Sequence, residues 1–535
     1  MDLNATQLLA DFGGMLPEIA LALLFIVALV VDASARGTGR RAVLFVVLAG
    51  AVVAGGLLVT QGMLIAGGTA AKGDARFFED VFHAEWLFKG SNQPYGFGMV
   101  VVDGFAIFFK ALIVLALVLA LCHALAARDL AGEGVERPGR FGALLAVAAL
   151  GMFLMAGAND LLPMYAAVEL FSLAAYALSG SARRPPRSAE AAVKYVLYGG
   201  VASAVMLCGI SLMYGLLGTT NFAELGLLLG APNTENALRN PLVISSVMIF
   251  AGLAFKIAAA PFHFWAPDVC EGTPAPAAAF LAAAGKAAGF AVMARFILVA
   301  YPTAMQGFDW RPVLGGVAVL TMSLGNLAAL QQTNLKRLLA CLSIAFGGNV
   351  LVGLAVATPA GVAAILVSFA FYVPAIIGAF FMVSKLAEHA GSEELEDMRG
   401  AGAAAPFATF CFAVCIVALA GLPPTSGFIG RLFLFNAAID AGGRFIWLGL
   451  AAGVNAVVAL CAVLRILKAL YFDRTECEPG GWTFGLAGRI MMGVLALAVL
   501  AFGIPGVFNP VLALAEESLR GLLPYLHDTV SNAGL

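Results

Sequence analysis

The chain has 535 residues, of which 61% are hydrophobic and only 12% charged, with a formal net charge of −2; its mean hydropathy is +0.95. Soluble domains carry about 25% charged residues, so the chain lacks the polar surface to cover a soluble core, and an ordinary cytosolic enzyme and a disordered chain are both excluded. Its 30 basic and 32 acidic residues leave no basic surface for tracking the phosphates of a nucleic acid.

Apolar runs of about 20 residues, the length that crosses a bilayer, recur along almost the entire chain. They predict spans at 17–33, 42–66, 100–127, 141–157, 161–180, 192–217 and 242–266. A second set follows at 274–300, 313–330, 338–356, 360–385, 406–437, 445–470 and 489–508. The fold expected is an all-α polytopic membrane protein of about fourteen helices. Helices are required because unpaired backbone groups are too costly in hydrocarbon, and the dyad alternation of a membrane barrel is missing. The start, MDLNATQLLADFGGMLPE, is acidic, and the run behind it reads as a span rather than a signal peptide.

The connections carry an orientation signal. Arg36, Arg40 and Arg41, then Arg128, Arg137 and Arg140, then Arg183, Arg184 and Arg187 follow the first, third and fifth spans. Lys336 and Arg337, Arg399 and Arg474 follow the ninth, eleventh and thirteenth, while the opposite side carries fewer, such as Arg239, Arg311 and Arg444. By the positive-inside rule both termini lie outside the cytoplasm, which in a bacterium means the periplasm, with the chain in the inner (plasma) membrane. The longest polar connection, 67–99, falls on the outer side, and 386–405 (AEHAGSEELEDMRGAG within it) reads as a cytoplasmic connection. No soluble catalytic domain is present.

The eight cysteines, Cys122, Cys208, Cys270, Cys341, Cys411, Cys415, Cys461 and Cys477, mostly sit in apolar runs. They read as small buried hydrophobes, without zinc or iron–sulfur spacing. Nor is there a G-x-G-x-x-G fingerprint in a βαβ context.

Two spans are broken alike. The seventh, AGLAFKIAAAPFHFWAPDVCEGTPAP, has Lys256 in mid-span and Pro261 five residues later. The twelfth, ALAGLPPTSGFIGRLFLFNA, has Pro423 and Pro424, then Gly427, Gly430 and Arg431. Proline removes a helical hydrogen bond and glycine lets the backbone turn. Such breaks in a membrane must be buried in protein or line a wet cavity. Five positions separate them, and an odd offset inverts one copy relative to the other, as in transporters built from inverted repeats.

Ionisable residues inside the hydrocarbon are costly and usually functional. Glu169 stands without a nearby charge in LPMYAAVELFSLAAYALSG, Lys194 lies near the start of the sixth span, Lys256 beside the first break, and Lys286 in mid-span in AAFLAAAGKAAGFAVMARF. Arg431 follows the second break, and His263 sits in PFHFW. A desolvated lysine loses its proton more readily, and a nearby carboxylate restores it. Moving or neutralising the carboxylate therefore changes whether the lysine holds a proton. On this reading Glu169 and Lys256 form a coupled charge pair, with Lys286 the next relay. Arginine effectively never deprotonates, so Arg431 is a poor relay. Histidine is matched to neutral pH, so His263 is a candidate, with a packed aromatic-flanked role as its alternative. Lys385 and Lys468 lie close to predicted cytoplasmic ends, where long side chains snorkel. Asp103, Lys110 and Arg465 read as helix-to-helix braces.

Several stretches together carry a resemblance: LPMYAAVELFSLAAYALSG, AVKYVLYGGVASAVMLCGISLMYGLLGTT, GLAFKIAAAPFHFWAPDVCEGTPAP, GKAAGFAVMARF, GNLAALQQTNLKRLLACLSIAFGG and LAGLPPTSGFIGRLFLF. The chain resembles the subunit N (subunit 2) family of the proton-pumping NADH–quinone oxidoreductase, respiratory complex I, from first span to last. The resemblance implies an antiporter-like core of two inverted five-helix repeats, helices 4–8 and 9–13, with helices 7 and 12 discontinuous. It divides the chain into 1–140 (helices 1–3), 141–300 (first repeat), 301–472 (second repeat) and 473–535 (helix 14 and tail). Glu169, Lys194, Lys256 and Lys286 take the family's proton-path positions. The twelfth-span position, usually lysine, is Arg431. In the tenth span the family often reads YSSIAHxGY where this chain has CLSIAFGGN, so Phe346 and Asn349 replace a histidine and a tyrosine, and YYYLR of the thirteenth becomes CAVLR.

The resemblance implies a membrane-arm subunit that translocates protons, with NADH, FMN, iron–sulfur clusters and quinone in partner subunits and no redox centre or metal on this chain. Partners would be the other antiporter-like subunits, the small membrane subunits and the lipid bilayer. Two other readings stay open from sequence: a subunit of a multi-component cation/proton antiporter, and a structural scaffold with a vestigial proton path.

Overall fold

The computed structural model of the chain describes residues 14–34, 42–70, 94–95, 99–126, 138–182, 185–230, 236–301, 309–473, 481–519 and 522. Arg36, Arg40, Arg41, Arg128, Arg137, Arg183, Arg184, Arg474 and most of the expected outer connection 67–99 lie outside the described residues.

Among the described residues eleven helices are long and apolar enough to cross a membrane, and three shorter apolar helices, Asn240–Lys256, Pro406–Ala420 and Leu486–Ala501, fill the remaining positions. Together they give fourteen passes. Spans 1 to 6 are Leu16–Ser34, Ala42–Ala70, Gly104–Ala126, Pro138–Gly157, Leu161–Ser179 and Pro185–Leu217. Span 7 comes in two pieces, Asn236–Lys256 and Trp265–Gly272. Span 8 is Ala275–Ala300, and spans 9 to 11 are Trp310–Gln331, Leu335–Val356 and Pro359–Ala390. Span 12 is again in two pieces, Pro406–Ala420 and Ser426–Asp440, before spans 13, Ile446–Tyr471, and 14, Leu486–Ala501.

Polar residues start several of these helices by satisfying free amides. Asp160 accepts from Leu162 N at span 5, Asn334 from Lys336 N and Arg337 N at span 10, and Thr358 from Gly361 N at span 11. Spans 8, 10 and 11 are buried along nearly their whole length, while spans 1, 2, 6 and 13 turn most of their surface outward. That outward surface carries Leu23, Val53, Leu197, Val201, Leu450 and Val457. An apolar band of this extent suits hydrocarbon rather than water. Span 11 is the axis of the bundle and packs on spans 3, 8, 10, 12 and 14.

Several features depart from the sequence reading, among them a short helix, Phe222–Gly230, between spans 6 and 7. A two-residue antiparallel pair, Pro94–Tyr95 with Val100–Val101, adds a minimal sheet to the otherwise helical chain. Span 11 continues to Ala390, so the first part of the expected connection 386–405 is helix. Its end is held because Lys385 does not snorkel: the side chain is only 4% exposed, pairs with Glu388 at 2.5 Å and donates to the Ala126 carbonyl at 2.9 Å. A short helix, Asn509–Ser518, follows span 14.

The expected braces are in place. Lys110 of span 3 pairs with Glu18 of span 1 at 2.5 Å, both buried. Arg295 of span 8 makes a two-pronged pair with Asp103, at 2.8 Å on each prong, and Asp103 also accepts from Ala106 N at 2.8 Å. Arg465 of span 13 donates to the carbonyls of Leu330 and Gln332, closing the open end of span 9.

Candidate proton-path site

The break in span 7 places the first lysine. The helix ends at Lys256, turns through 257–264 and resumes at Trp265. The backbone groups freed there find protein partners. The Phe255 carbonyl accepts from the Trp265 indole at 3.1 Å, and Ala260 N donates to Thr321 of span 9 at 2.9 Å. Span 12 breaks in the same way between Ala420 and Ser426. Each break contains a cis proline bond, Ala260–Pro261 and Pro423–Pro424. The breaks lie five passes apart, so the chain crosses the second in the opposite sense.

Lys256 is buried among aromatic rings, with its ammonium 5.8, 5.7 and 5.3 Å from the centroids of Phe171, Tyr176 and Phe255. Its hydrogen bond goes to the Ser172 hydroxyl. Glu169, one turn earlier on span 5, is half-buried and accepts from the Ser203 hydroxyl of span 6. Among the described residues no direct salt bridge joins Glu169 to Lys256, and each is held by a serine hydroxyl. The lysine points into the aromatic box, and the carboxylate faces span 6 instead. Ser172, which holds Lys256, lies one turn after Glu169 on span 5.

Lys286 is the buried counterpart on span 8. A π-helical stretch, Leu281–Gly285, ends immediately before it and re-aims the helix face. Its ammonium donates to the Ser343 carbonyl and, at 2.7 Å, to the Ser343 hydroxyl of span 10. Gly347 of span 10 lies between Lys286 and the first break. A Cβ there would stand 3.6 Å from Lys286 Nζ and 3.6 Å from the Ile257 carbonyl at the first break. Lys286 therefore lies beside the residue that follows Lys256, which brings the two lysines to one locus.

Lys194 lies apart from that locus. It is 38% exposed and forms two ion pairs of 2.8 Å, with Glu190 and Asp268. Asp268 also pairs with Arg337 of span 10 at 2.7 Å, and Arg337 with Glu271 at 2.8 Å. This network joins spans 6, 7 and 10 at one end of the bundle. It borders a cavity of about 130 Å³ lined by Glu190, Lys194, Asp268 and Arg337. A neighbouring cavity of about 170 Å³, lined by Ser188, Thr273, Asn334, Lys336 and Glu393, shares Arg187 and Glu271 with it. Both are large enough for several waters.

Arg431 reaches back across the second break, where Nη2 donates to the Leu419 carbonyl at 3.0 Å. Gly421 makes that approach possible. It has φ +69°, and a Cβ there would stand 2.3 Å from Arg431 Cδ. His263 is buried in the first break beside Phe264, ring centroids 4.3 Å apart. Its Nδ1 has no hydrogen-bond partner among the described residues, and no hydrogen bond there links it to Glu169, Lys256 or Lys286.

The site holds residues that the sequence reading did not single out: Ser172, Ser203, Ser343 and the network carboxylates Asp268 and Glu271. Ser172 lies three positions after Glu169, on the same helix face, which was a usable signal. Ser343 and Asp268 become neighbours of the lysines only through packing between distant spans. Among the described residues no cluster of His, Cys, Asp or Glu is arranged to hold a metal.

Comparison with known proteins agrees with this architecture. The NADH:quinone oxidoreductase/Mrp antiporter transmembrane family matches residues 158–457, more than half of the chain. The NADH-quinone oxidoreductase subunit N of Anaeromyxobacter sp. (strain Fw109-5) is 40% identical over 446 residues, covering 79% of this chain and 85% of that protein. The NADH-quinone oxidoreductase subunit N of Chlorobium chlorochromatii is 37% identical over 519 residues, covering 95% of each. Among solved structures, a chain of respiratory complex I from Thermus thermophilus with bound aureothin aligns at TM-score 0.70 and 28% identity, over 92% of this chain and 98% of that one. A chain of the Mrp complex from Dietzia sp. aligns at TM-score 0.77 but 20% identity, over 97% and 99%, and so shares the fold. With both broken spans, the buried lysines and these relatives in agreement, the chain belongs to the subunit N family of NADH-quinone oxidoreductase, the antiporter-like membrane subunits of respiratory complex I.

Proposed function

We propose that the chain carries protons across the membrane as a membrane-arm subunit of an NADH–quinone oxidoreductase, driven by NADH oxidation and quinone reduction in partner subunits. The observation that carries this reading is the environment of Lys256 and Lys286. Both are buried, and both hydrogen-bond to neutral hydroxyls rather than to carboxylates in contact. An ammonium locked to a carboxylate stays charged. An ammonium beside a hydroxyl releases its proton without stranding a buried anion. Glu169 acts at one remove, its charge biasing Lys256 across one helical turn.

The other candidates divide by their partners. Lys194, held by two carboxylates, keeps its charge and organises the hydrated mouth through which protons enter. Arg431 orients water at the second break without exchanging its own proton. His263 lies in the first break and serves as a secondary exchange site. NADH, FMN, the iron–sulfur clusters and quinone belong to partner subunits, so this chain shares in a redox-driven translocase without a redox centre of its own. Its neighbours are the other antiporter-like subunits and the small membrane subunits. The chain divides functionally at about 140, 300 and 472, into three leading spans, two inverted repeats and a closing span.

The test is NADH-driven proton uptake by membrane vesicles, normalised to assembled complex. Lys286→Ala is expected to lower uptake on the order of a hundredfold, the scale of losing a positioned proton carrier. Parent-level uptake by an assembled Lys286→Ala complex would overturn the reading. At Arg431, lysine is expected to retain uptake, with modest loss from the changed geometry. Arg431→Ala is expected to cost less than Lys256→Ala. Equal and complete loss in those two would make the arginine an obligatory carrier.

The location proposed is the bacterial inner membrane, with both termini periplasmic. The arginine asymmetry of the connections supports this orientation, and it places the Lys194–Asp268–Arg337 network on the cytoplasmic side. Cysteines placed singly in 71–93 of native membranes are expected to react with an impermeant reagent from the periplasm. Labelling from the cytoplasm alone would reverse the orientation.

A further inference from the structure

Beyond Lys286 the polar path continues through a residue to which no role has yet been given. The Ser343 hydroxyl that receives Lys286 Nζ at 2.7 Å also receives Tyr372 Oη of span 11 at 2.6 Å. Tyr372 Oη reaches the Ala282 carbonyl as well, at 3.2 Å. The phenol has a fixed position because its ring lies flat on Phe346, with centroids 3.7 Å apart and planes within 4°. Tyr372 and Phe346 line a cavity of about 20 Å³ whose other walls include Asn349, Ser368 and Arg431. That volume holds a single water. Arg431 Nη1 is buried with no hydrogen-bond partner among the described residues, so the wall of this cavity includes a side chain with a free donor.

We propose that Tyr372 is a hydroxyl relay, passing a proton from Lys286 through Ser343 to one water held in the cavity beside Arg431. This rests on the proton-carrying function proposed above and extends its path from the first repeat into the second. The hydroxyls can face either way, since each is both donor and acceptor. With the Tyr372 O–H rotated toward the water, Ser343 donates to Tyr372 and the chain is aligned outward. Lys286 then gives one proton to Ser343 Oγ, the Ser343 proton passes to Tyr372 Oη, and the phenol proton passes to the water. Each hydroxyl loses one proton and gains one, Lys286 is left neutral, and the positive charge arrives on the water. The guanidinium of Arg431 repels that charge, so the water does not store the proton. It hands it on, or returns it to Lys286. The relay supplies an exchangeable group where Phe346 offers none.

The experiment measures NADH-driven proton uptake by assembled complex for three variants. Tyr372→Phe keeps the ring on Phe346 and removes only the hydroxyl. It is expected to lower uptake on the order of tenfold at unchanged assembly. Adding Phe346→His to it places an exchangeable ring nitrogen against the same neighbours and is expected to restore most of the uptake, which a packing role for Tyr372 would not produce. Loss in Tyr372→Phe that the histidine does not restore would overturn the relay. So would parent-level uptake in Tyr372→Phe. Lys286→Ala is the control that separates the two claims. If it loses uptake while Tyr372→Phe keeps it, the relay falls and the proposed function stands; if both keep it, both fall.

Discussion

Lys256→Ala complexes are expected to assemble normally and to lose NADH-driven proton uptake by about a hundredfold, the scale of removing a general acid–base group. Assembly survives because no carboxylate touches the ammonium. Its surroundings are three rings and the Ser172 hydroxyl, so the substitution strands no counter-ion. Glu169→Gln keeps the size of the side chain and its hydrogen bond with Ser203. It removes only the tunable charge and is expected to cause a comparable loss. Glu169→Asp keeps the charge with a shorter reach and should be milder. Ser172→Ala tests the intermediate step. It deletes the hydroxyl that holds Lys256 one turn from Glu169, and its loss should lie between that of Glu169→Asp and Glu169→Gln. Full uptake by assembled Glu169→Gln and Lys256→Ala complexes would refute coupling between these two groups.

The fourteen passes and both helix breaks were legible in the sequence because each rests on a local rule. Length and apolarity define a span, and proline with glycine defines a break. The candidate residues were legible for the same reason. A charge in an apolar run stands out without knowledge of its neighbours. Their partners did not stand out. Ser343 and Tyr372 are ordinary residues of spans 10 and 11, and they come together at Lys286 because its side chain reaches Ser343 of span 10 while span 11 packs on span 8. The sequence also suggested that an isolated glutamate takes its counter-charge from another helix. The structure adds a serine at each end, Ser203 donating to Glu169 and Ser172 accepting from Lys256, and apolar periodicity reports neither. The snorkelling expected of Lys385 failed in a related way. A carbonyl at the end of span 3 and a carboxylate one turn on hold it inside the bundle.

Buried charges that brace the bundle should answer substitution in the opposite way from those that carry protons. Arg295 and Asp103 are both nearly inaccessible and joined by two hydrogen bonds of 2.8 Å. Arg295→Met fills much of the same volume but leaves the Asp103 carboxylate buried without its counter-ion. Breaking such a pair from one side costs about 3–5 kcal/mol, a large fraction of the stability of a typical domain. Arg295→Met is therefore expected to sharply reduce the assembled complex in membranes and its survival on heating. Any complex that does assemble should still take up protons, since Arg295 holds span 8 to the start of span 3 and takes no part in the lysine path. Asp103→Asn offers the control. Asparagine can still accept from Ala106 N at the start of span 3, the bond of 2.8 Å that Asp103 makes there, but it carries no charge. Combined with Arg295→Met it removes both members of the pair, and most of the lost assembly should return, because the penalty lies in the unpaired ion rather than in the missing bridge. Parent-level assembly and heat survival in Arg295→Met alone would show that the pair is dispensable. Normal assembly without proton uptake would instead place Arg295 on the path.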